Sequence, residues 1–242
     1  MLGLGNSITS GYTSFTLTDV YRLALWLKND TGIQESTGTV VSWADSSGNG
    51  NNAVQSDITL RAVKSDGGLD FEETESDHYD LNDTIAVGED EGFCFAIVLN
   101  QETDTNNTIF SKETNDVIQI SNSEIKVITN VGGSATTSAV FDNNPFAASS
   151  GKMLVLVNRT AGESNVFTFF KNGVQITPNT TGSALEATGE NPYGFDLNVI
   201  GVRPNVGSYF DGVIYELAFW NKSLTDVEIA DVNGYLKEIH GL

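Results

Sequence analysis

Basic residues are scarce in this chain: Lys and Arg together number 12 against 32 Asp and Glu, giving a formal net charge of -20. A surface that binds nucleic acid needs clustered Lys and Arg to replace the counterions around phosphates, and no such cluster occurs, so that partner class is excluded. Cys94 is the only cysteine, which rules out an intrachain disulfide, and its setting in the apolar run GFCFAIVL reads as an inert buried thiol. His78 and His240 are the only imidazoles, too few for a histidine-rich metal centre. No apolar run approaches the length of a membrane span, so membrane insertion is not expected. The amino terminus, MLGLGNSITSG, has neither a basic region nor a sustained apolar core, which is not the pattern of a usual signal peptide.

Helical periodicity is also rare, and it occurs in one place. The segment YFDGVIYELAFWNKSLTDVEIADVNGYL (209–236) reads as a long strand running into a capped helix. Val213, Tyr215, Leu217 and Phe219 alternate with Ile214, Ala218 and Trp220, so both strand faces are apolar and the strand is expected at the centre of a sheet. Thr225 with Glu228 forms a capping box, Ile229, Val232, Leu236 and Ile239 make one apolar stripe, and Gly241 ends the helix.

The remaining chain, with 24 Gly, 4 Pro and abundant Thr and Asn, breaks into short strands between polar turns. Val20 to Leu27 is expected to be a first strand, apolar on both faces, followed by a strand at Val40 to Trp43. Gly68 to Phe71 and His78 to Leu81 read as a hairpin-like pair around an acidic, solvated turn of Glu72, Glu73, Glu75 and Asp77. Phe93 to Leu99 and Lys152 to Asn158 are further strands apolar on both faces, and shorter ones are expected between them. Asn172-Gly173 is a strong hairpin signal, because both residues tolerate the positive φ of a type I′ turn. The fold class expected is all-β, a two-sheet antiparallel β-sandwich with one C-terminal α-helix. Residues 1–18 precede the first charge, Asp19, and suit a flexible arm or anchor in which Leu2, Leu4 and Ile8 would dock on a partner; residues 19–242 form one domain.

The loop Asp45-Ser-Ser-Gly-Asn-Gly-Asn-Asn52 permits three readings. Its Gly48-x-Gly50-x-x-Ala53 spacing matches a dinucleotide pattern, but no helix follows to receive a phosphate. Asp45, Ser47, Asn49 and Asn51 place oxygens at alternate positions as calcium loops do, with Asp45, Asn49 and Asn51 the candidate ligands, but without the bidentate Glu of such loops. A tight turn in which Gly supplies positive φ and Asp caps the backbone is the third.

The order of LALWLKND, VSWADSSGNGNNA, GLDF, DHYDL, FCFAIVL, TIFSK, KMLVLVN, FFKNGVQI and YFDGVIYELAFWNKSLTDVEI resembles that of laminin-G-like, concanavalin-A-like jelly-roll domains, over about residues 19–242. That resemblance implies a jelly roll and a non-catalytic module that binds sugars or proteins at one rim or on a concave sheet, often near calcium. It is most similar to the bacterial and phage branch, and the Gly-Asn-Ser leader also looks like that of small virion proteins of marine tailed phages. The expectation is a virion-surface protein held by its arm to other virion proteins, displaying a lectin-like sandwich toward glycans, with self-association into a homo-oligomer left open. A secreted or cell-surface carbohydrate-binding module is the alternative.

Glycoside hydrolysis needs two carboxylates projected into one groove, commonly from an E-x-D-x-E strand, and no strand carries that pattern. Glu216 stands alone on its strand and there is no GxSxG elbow, so an enzyme is not expected. Sugar binding needs an aromatic to stack on the ring and amides or carboxylates for its hydroxyls. The candidates are Tyr79 beside Asp77, Tyr193 in ENPYGFD and Tyr209 in NVGSYFD.

Overall fold

The computed structural model of the protein describes residues 15–105, 107–112, 116–131, 135–161, 167–179 and 193–242. In chain order the strands are β1 (Leu23–Leu27), β2 (Ile33–Ser36), β3 (Thr39–Trp43), β4 (Ala53–Val54), β5 (Val63–Ser65), β6 (Gly68–Phe71), β7 (Tyr79–Val87) and β8 (Phe93–Gln101). They continue as β9 (Asn107–Lys112), β10 (Asp116–Ile120), β11 (Glu124–Thr129), β12 (Ala135–Val140), β13 (Met153–Arg159), β14 (Phe167–Lys171) and β15 (Val174–Ile176). The last are β16 (Phe195–Ile200), β17 (Val202–Arg203), β18 (Ser208–Tyr209) and β19 (Gly212–Trp220), before the helix α1 (Asp226–His240). One sheet runs β15-β14-β13-β8-β19-β6-β5 with β1 also on β19; the other runs β12-β11-β10-β9-β16-β7-β4-β3-β2. Both are antiparallel, and together they make the β-sandwich with one C-terminal helix.

Between the sheets lies a phenylalanine-rich core. Phe93 stacks on both Phe195 and Phe219 with ring centroids 5.7 Å apart, and Phe95 meets Phe110 edge-on at 5.8 Å. Each such pair adds about 1 kcal/mol beyond the burial of its area. The first sheet is also covered on its far side, where Ile229, Val232 and Leu236 of α1 meet Cys94, Ala96, Val98, Leu154, Leu156, Ala218 and Trp220. Ala96 and Ala218 are direct cross-strand partners, and two small side chains side by side leave room for the helix to approach. Burial raises the Cys94 thiol well above its ordinary range, so it stays protonated and inert. Thr225 and Glu228 close the capping box and Gly241 adopts φ +68, as the sequence requires. Among the described residues no helix is long and apolar enough to cross a membrane.

The alternation read along β19 is broken in the structure. A register shift between Ile214 and Glu216 puts Val213 and Tyr215 on the helix side, after which Leu217 and Phe219 face the inner core and Ala218 and Trp220 face outward. Tyr215 therefore does not share a face with Leu217 and Phe219. The bulge coincides with a change of partner: β6 pairs with Gly212 to Ile214, and β1 pairs with Leu217 to Trp220 along the same edge. It also turns Glu216 into the outer core, where it is 1% exposed. There it accepts from Trp26 Nε1 at 2.6 Å and pairs with His240 Nε2 at 2.8 Å, joining β1, β19 and the end of α1.

Other expectations need correcting. Gly68–Phe71 and Tyr79–Val87 are not a hairpin: β6 lies in one sheet and β7 in the other, so the acidic turn is a crossover between layers. The first strand starts at Leu23, because Arg22 takes φ +65 in a turn. Ile239 is 47% exposed and Asn233 takes the buried position on α1 instead. Leu17 is fully buried and Phe15 packs on the outer core, so the packed body reaches upstream of Asp19. Leu2, Leu4 and Ile8 lie outside the described residues. The segment 202–208, expected as a loop, contains the hairpin β17–β18, which caps polar groups of β9 and β10: Gln119 Nε2 donates to Thr108 Oγ1 at 3.1 Å and Ser208 Oγ at 3.0 Å.

Removing the Glu216 carboxylate leaves Trp26 Nε1 and the His240 ring buried without their acceptor. Glu216→Ala is expected to cost about 3–5 kcal/mol and lower the melting temperature by roughly 10 °C by calorimetry. Glu216→Gln, which keeps an acceptor for Trp26, should lose markedly less; equal losses in the two variants would assign the effect to the charge rather than to the Trp26 bond.

Candidate functional site

A pocket of about 300 Å³ opens at the rim of the sandwich, where the start of β1, the 45–52 loop, the end of β7 and the residue after β19 converge. The loop forms first. Asp45 Oδ1 accepts from the amides of Trp26 and Ser47, both at 2.9 Å, and Oδ2 accepts from Ser47 Oγ at 2.7 Å and the Asn51 amide at 3.0 Å. The Asp45 amide in turn donates to Asn52 Oδ1 at 2.9 Å. Gly48 and Gly50 supply φ +92 and +81, which a Cβ would strain. The loop is then clamped on β1: Asn49 Nδ2 donates to the Leu23 carbonyl at 2.7 Å, and Asn51 Nδ2 to the Ala24 carbonyl at 2.9 Å.

With four protein donors on its two oxygens, the Asp45 carboxylate has no position left for a cation, and it does not line the pocket. Among the described residues no group of three or more His, Cys, Asp or Glu side chains is placed to hold a metal. Asp45, Asn49 and Asn51 thus do not fit a calcium site: Asp45 serves the turn, and only the two asparagines reach the pocket.

What the pocket presents follows from those clamps. Because Asn49 and Asn51 point their amide nitrogens at backbone carbonyls, their Oδ1 atoms are left over, and neither accepts a hydrogen bond among the described residues. Asn221 repeats the arrangement on the opposite wall: its backbone amide donates to the Arg22 carbonyl at 3.1 Å, its Nδ2 donates to the Ala86 carbonyl at 3.2 Å, and its Oδ1 is buried with no donor. Thr84 adds an exposed hydroxyl, and Arg22 a guanidinium 3.6 Å from the Glu91 carboxylate. Leu23, Ala24, Ile85 and Ala86 complete the lining. Tyr21, next to Arg22 in the chain, is 77% exposed, the most exposed large apolar side chain among the described residues.

The three tyrosines expected to bind sugar are not brought together. Tyr79 is 1% exposed and donates from its hydroxyl to the Val40 carbonyl at 2.8 Å, so it is core and cannot be a stacking platform. Tyr193 is half-buried and its carbonyl receives Arg159 Nη1 at 2.9 Å. Tyr209 is half-buried in β18, paired with Val202. Tyr21, Arg22, Thr84 and Asn221 were not singled out by pattern. One signal was present: Arg22 interrupts an apolar alternation, which argues that the strand starts after it and leaves Tyr21 outside.

A family profile described as the concanavalin A-like lectin/glucanases superfamily matches residues 73–230, more than half of the chain. A comparison with curated proteins finds no match. Among solved structures, the binding domain of Paraclostridial Mosquitocidal Protein 1 aligns with a TM-score of 0.58 at 11% identity, covering 91% of this chain and 53% of that one. The receptor binding domain of botulinum neurotoxin type G aligns at 0.53 and 14% identity, covering 89% and 51%. A Trypanosoma rangeli sialidase, solved in complex with 2,3-difluoro-KDN, aligns at 0.51 and 12% identity, covering 91% and 33%. The chain spans about half the length of the two toxin domains, and at these identities the likeness is one of fold.

Electrostatics near the crossover turn yield a separate test. Glu73 and Glu75 are solvated as expected, but Asp77 is buried, accepts from the Glu72 amide at 3.0 Å, and has its carboxyl pushed up from 3.8 to about 6, chiefly by burial. A carboxyl raised in the folded state binds protons more tightly there than when unfolded, so its contribution falls as pH rises from about 4 to about 6. Asp77→Asn should flatten the pH dependence of stability across that window, measured by urea unfolding; an unchanged slope would rule out this assignment.

Proposed function

This chain belongs to the concanavalin A-like lectin/glucanases superfamily, and from that premise we propose that it is a non-enzymatic, lectin-like module that binds glycans through the pocket at its rim. The observation that carries the reading is the pair of amide oxygens that Asn49 and Asn51 leave without a donor. Each spends Nδ2 on a backbone carbonyl, which fixes the side chain at the pocket wall and leaves Oδ1 able to accept, while Asn221 is held the same way with its Oδ1 buried in the opposite wall. Sugar hydroxyls can donate to such acceptors, and the exposed ring of Tyr21, next in the chain to the lining residue Arg22, offers a face for the apolar side of a pyranose. Binding without hydrolysis is favoured because among the described residues no carboxylate lines the pocket, and glycosidic cleavage calls for two.

We propose further that the module is displayed on the particle of a tailed phage. The leader MLGLGNSI and the acid-rich composition support that setting by resemblance, with residues 1–14 docking on another virion protein. A secreted carbohydrate-binding module would use the same pocket.

Tyr21→Ala and Thr84→Ala remove groups that are exposed, so each should fold with an unchanged melting temperature. Each is expected to weaken binding on a glycan array by about tenfold, the equivalent of ~1.4 kcal/mol. No glycan bound by the unaltered protein would overturn the lectin reading. For the display reading, a proteomic inventory of purified particles should contain this chain in stoichiometric amounts, and deletion of residues 1–14 should prevent its incorporation; its absence from particles would leave the secreted alternative.

A further inference from the structure

A second concavity, larger than the rim pocket at about 550 Å³, lies between α1 and the β14–β15 hairpin. Its lining combines Phe170, Gln175, Asp226, Asn233, Gly234 and Lys237. Two features of it are not accounted for by packing. Asn233 is only 5% exposed; its Nδ2 donates to the Ile229 carbonyl at 2.9 Å, yet its Oδ1 has no donor. A buried acceptor left unpaired is destabilising, and it calls for a donor from outside the chain. Gly234 sits in the interior of α1, where glycine weakens a helix, and a Cβ there would meet nothing within 4 Å. Packing does not require that glycine; its effect is to keep the wall of the groove open.

The ligand chemistry follows from the lining. Phe170 and Ile229 give an apolar floor, while Gln175, Asp226 and Lys237 hold no hydrogen bond or ion pair with other side chains among the described residues. Asp226 and Lys237 lie in the first and last turns of the helix, about 16 Å apart along its axis. An apolar strip edged by spaced donors and acceptors complements a short chain of pyranose rings, and opposite charges at the two ends favour an uncharged one. We infer that this groove is a second carbohydrate site, taking a neutral oligosaccharide of two or three rings over Phe170 and Ile229, with Asn233 as the incompletely paired polar group of its wall. The site is independent of the rim pocket, since the two share no lining residue.

Backbone amide shifts of the isotope-labelled protein, titrated with maltose, cellobiose and lactose, test it. At least one disaccharide should move the amides of Gly173, Gln175, Asn233 and Gly234. Gly234→Leu fills the groove and should abolish those shifts while leaving any response at Asn49 and Asn221 intact. Should the leucine variant not fold, Gly234→Ala removes the glycine with the smallest side chain; it should melt higher than the parent and bind severalfold more weakly. Groove amides that stay still with all three sugars, or shifts that persist at parental strength in the variants, would overturn the inference. Silence at Asn49 and Asn221 alone would instead bear on the rim reading.

Discussion

A strand whose nine residues are all buried has to be covered on both faces, and β19 imposes that condition on everything around it. The second sheet covers one side, with Phe195 stacked on Phe219 and Phe110 edge-on to it, and α1 with the entry segment covers the other. The two coverings have different shapes, and the bulge before Glu216 reconciles them by shifting face parity midway along the strand. That shift places a carboxylate in the outer core, an expensive location for a lone charge. Trp26 and His240 offset the cost, and in doing so they fix β1 and the last turn of α1 to the same atom pair. The sandwich and its helix are thereby one unit.

Architecture was legible where chemistry is local. The capping box of Thr225 and Glu228, the Asn172-Gly173 turn and the doubly apolar runs of β8, β13 and β19 each determine their own conformation, and their order matches the resemblance read from the motifs. Alternation failed at the β19 bulge, because one extra residue in a strand leaves no compositional mark. It failed again at Tyr21, which keeps the period of Leu23, Leu25 and Leu27 although Arg22 between them takes a turn conformation. Pairing is not local at all: β6 and β7 are neighbours in sequence, and only the layer each joins decides that they are not partners.

The rim pocket shows the same division. Asn49 and Asn51 were legible as oxygen-bearing side chains on alternate residues, but the direction of each amide depends on carbonyls of β1 more than twenty residues upstream. Asn221 enters from the far end of the chain, held to Arg22 and Ala86. A site assembled from four separate segments has no contiguous signature. Tyr79 illustrates the reverse error, since an aromatic beside an acidic turn reads as exposed until the crossover carries it between the sheets.

The shared edge of β19 also determines how the domain carries load. β1 and β6 divide that edge, so the segment entering through Phe15 and Leu17 lies over the helix and then engages the half of β19 nearest the helix's start. Tension applied upstream of Phe15 is delivered first to these apolar contacts, and next to the β1 ladder and its Trp26 pin. Leu25 and Leu27 of that strand belong to the inner core, so the core is loaded only through the β1 ladder. A body tethered by its amino terminus would yield first at the entry segment, ahead of the ladder that leads into the sandwich.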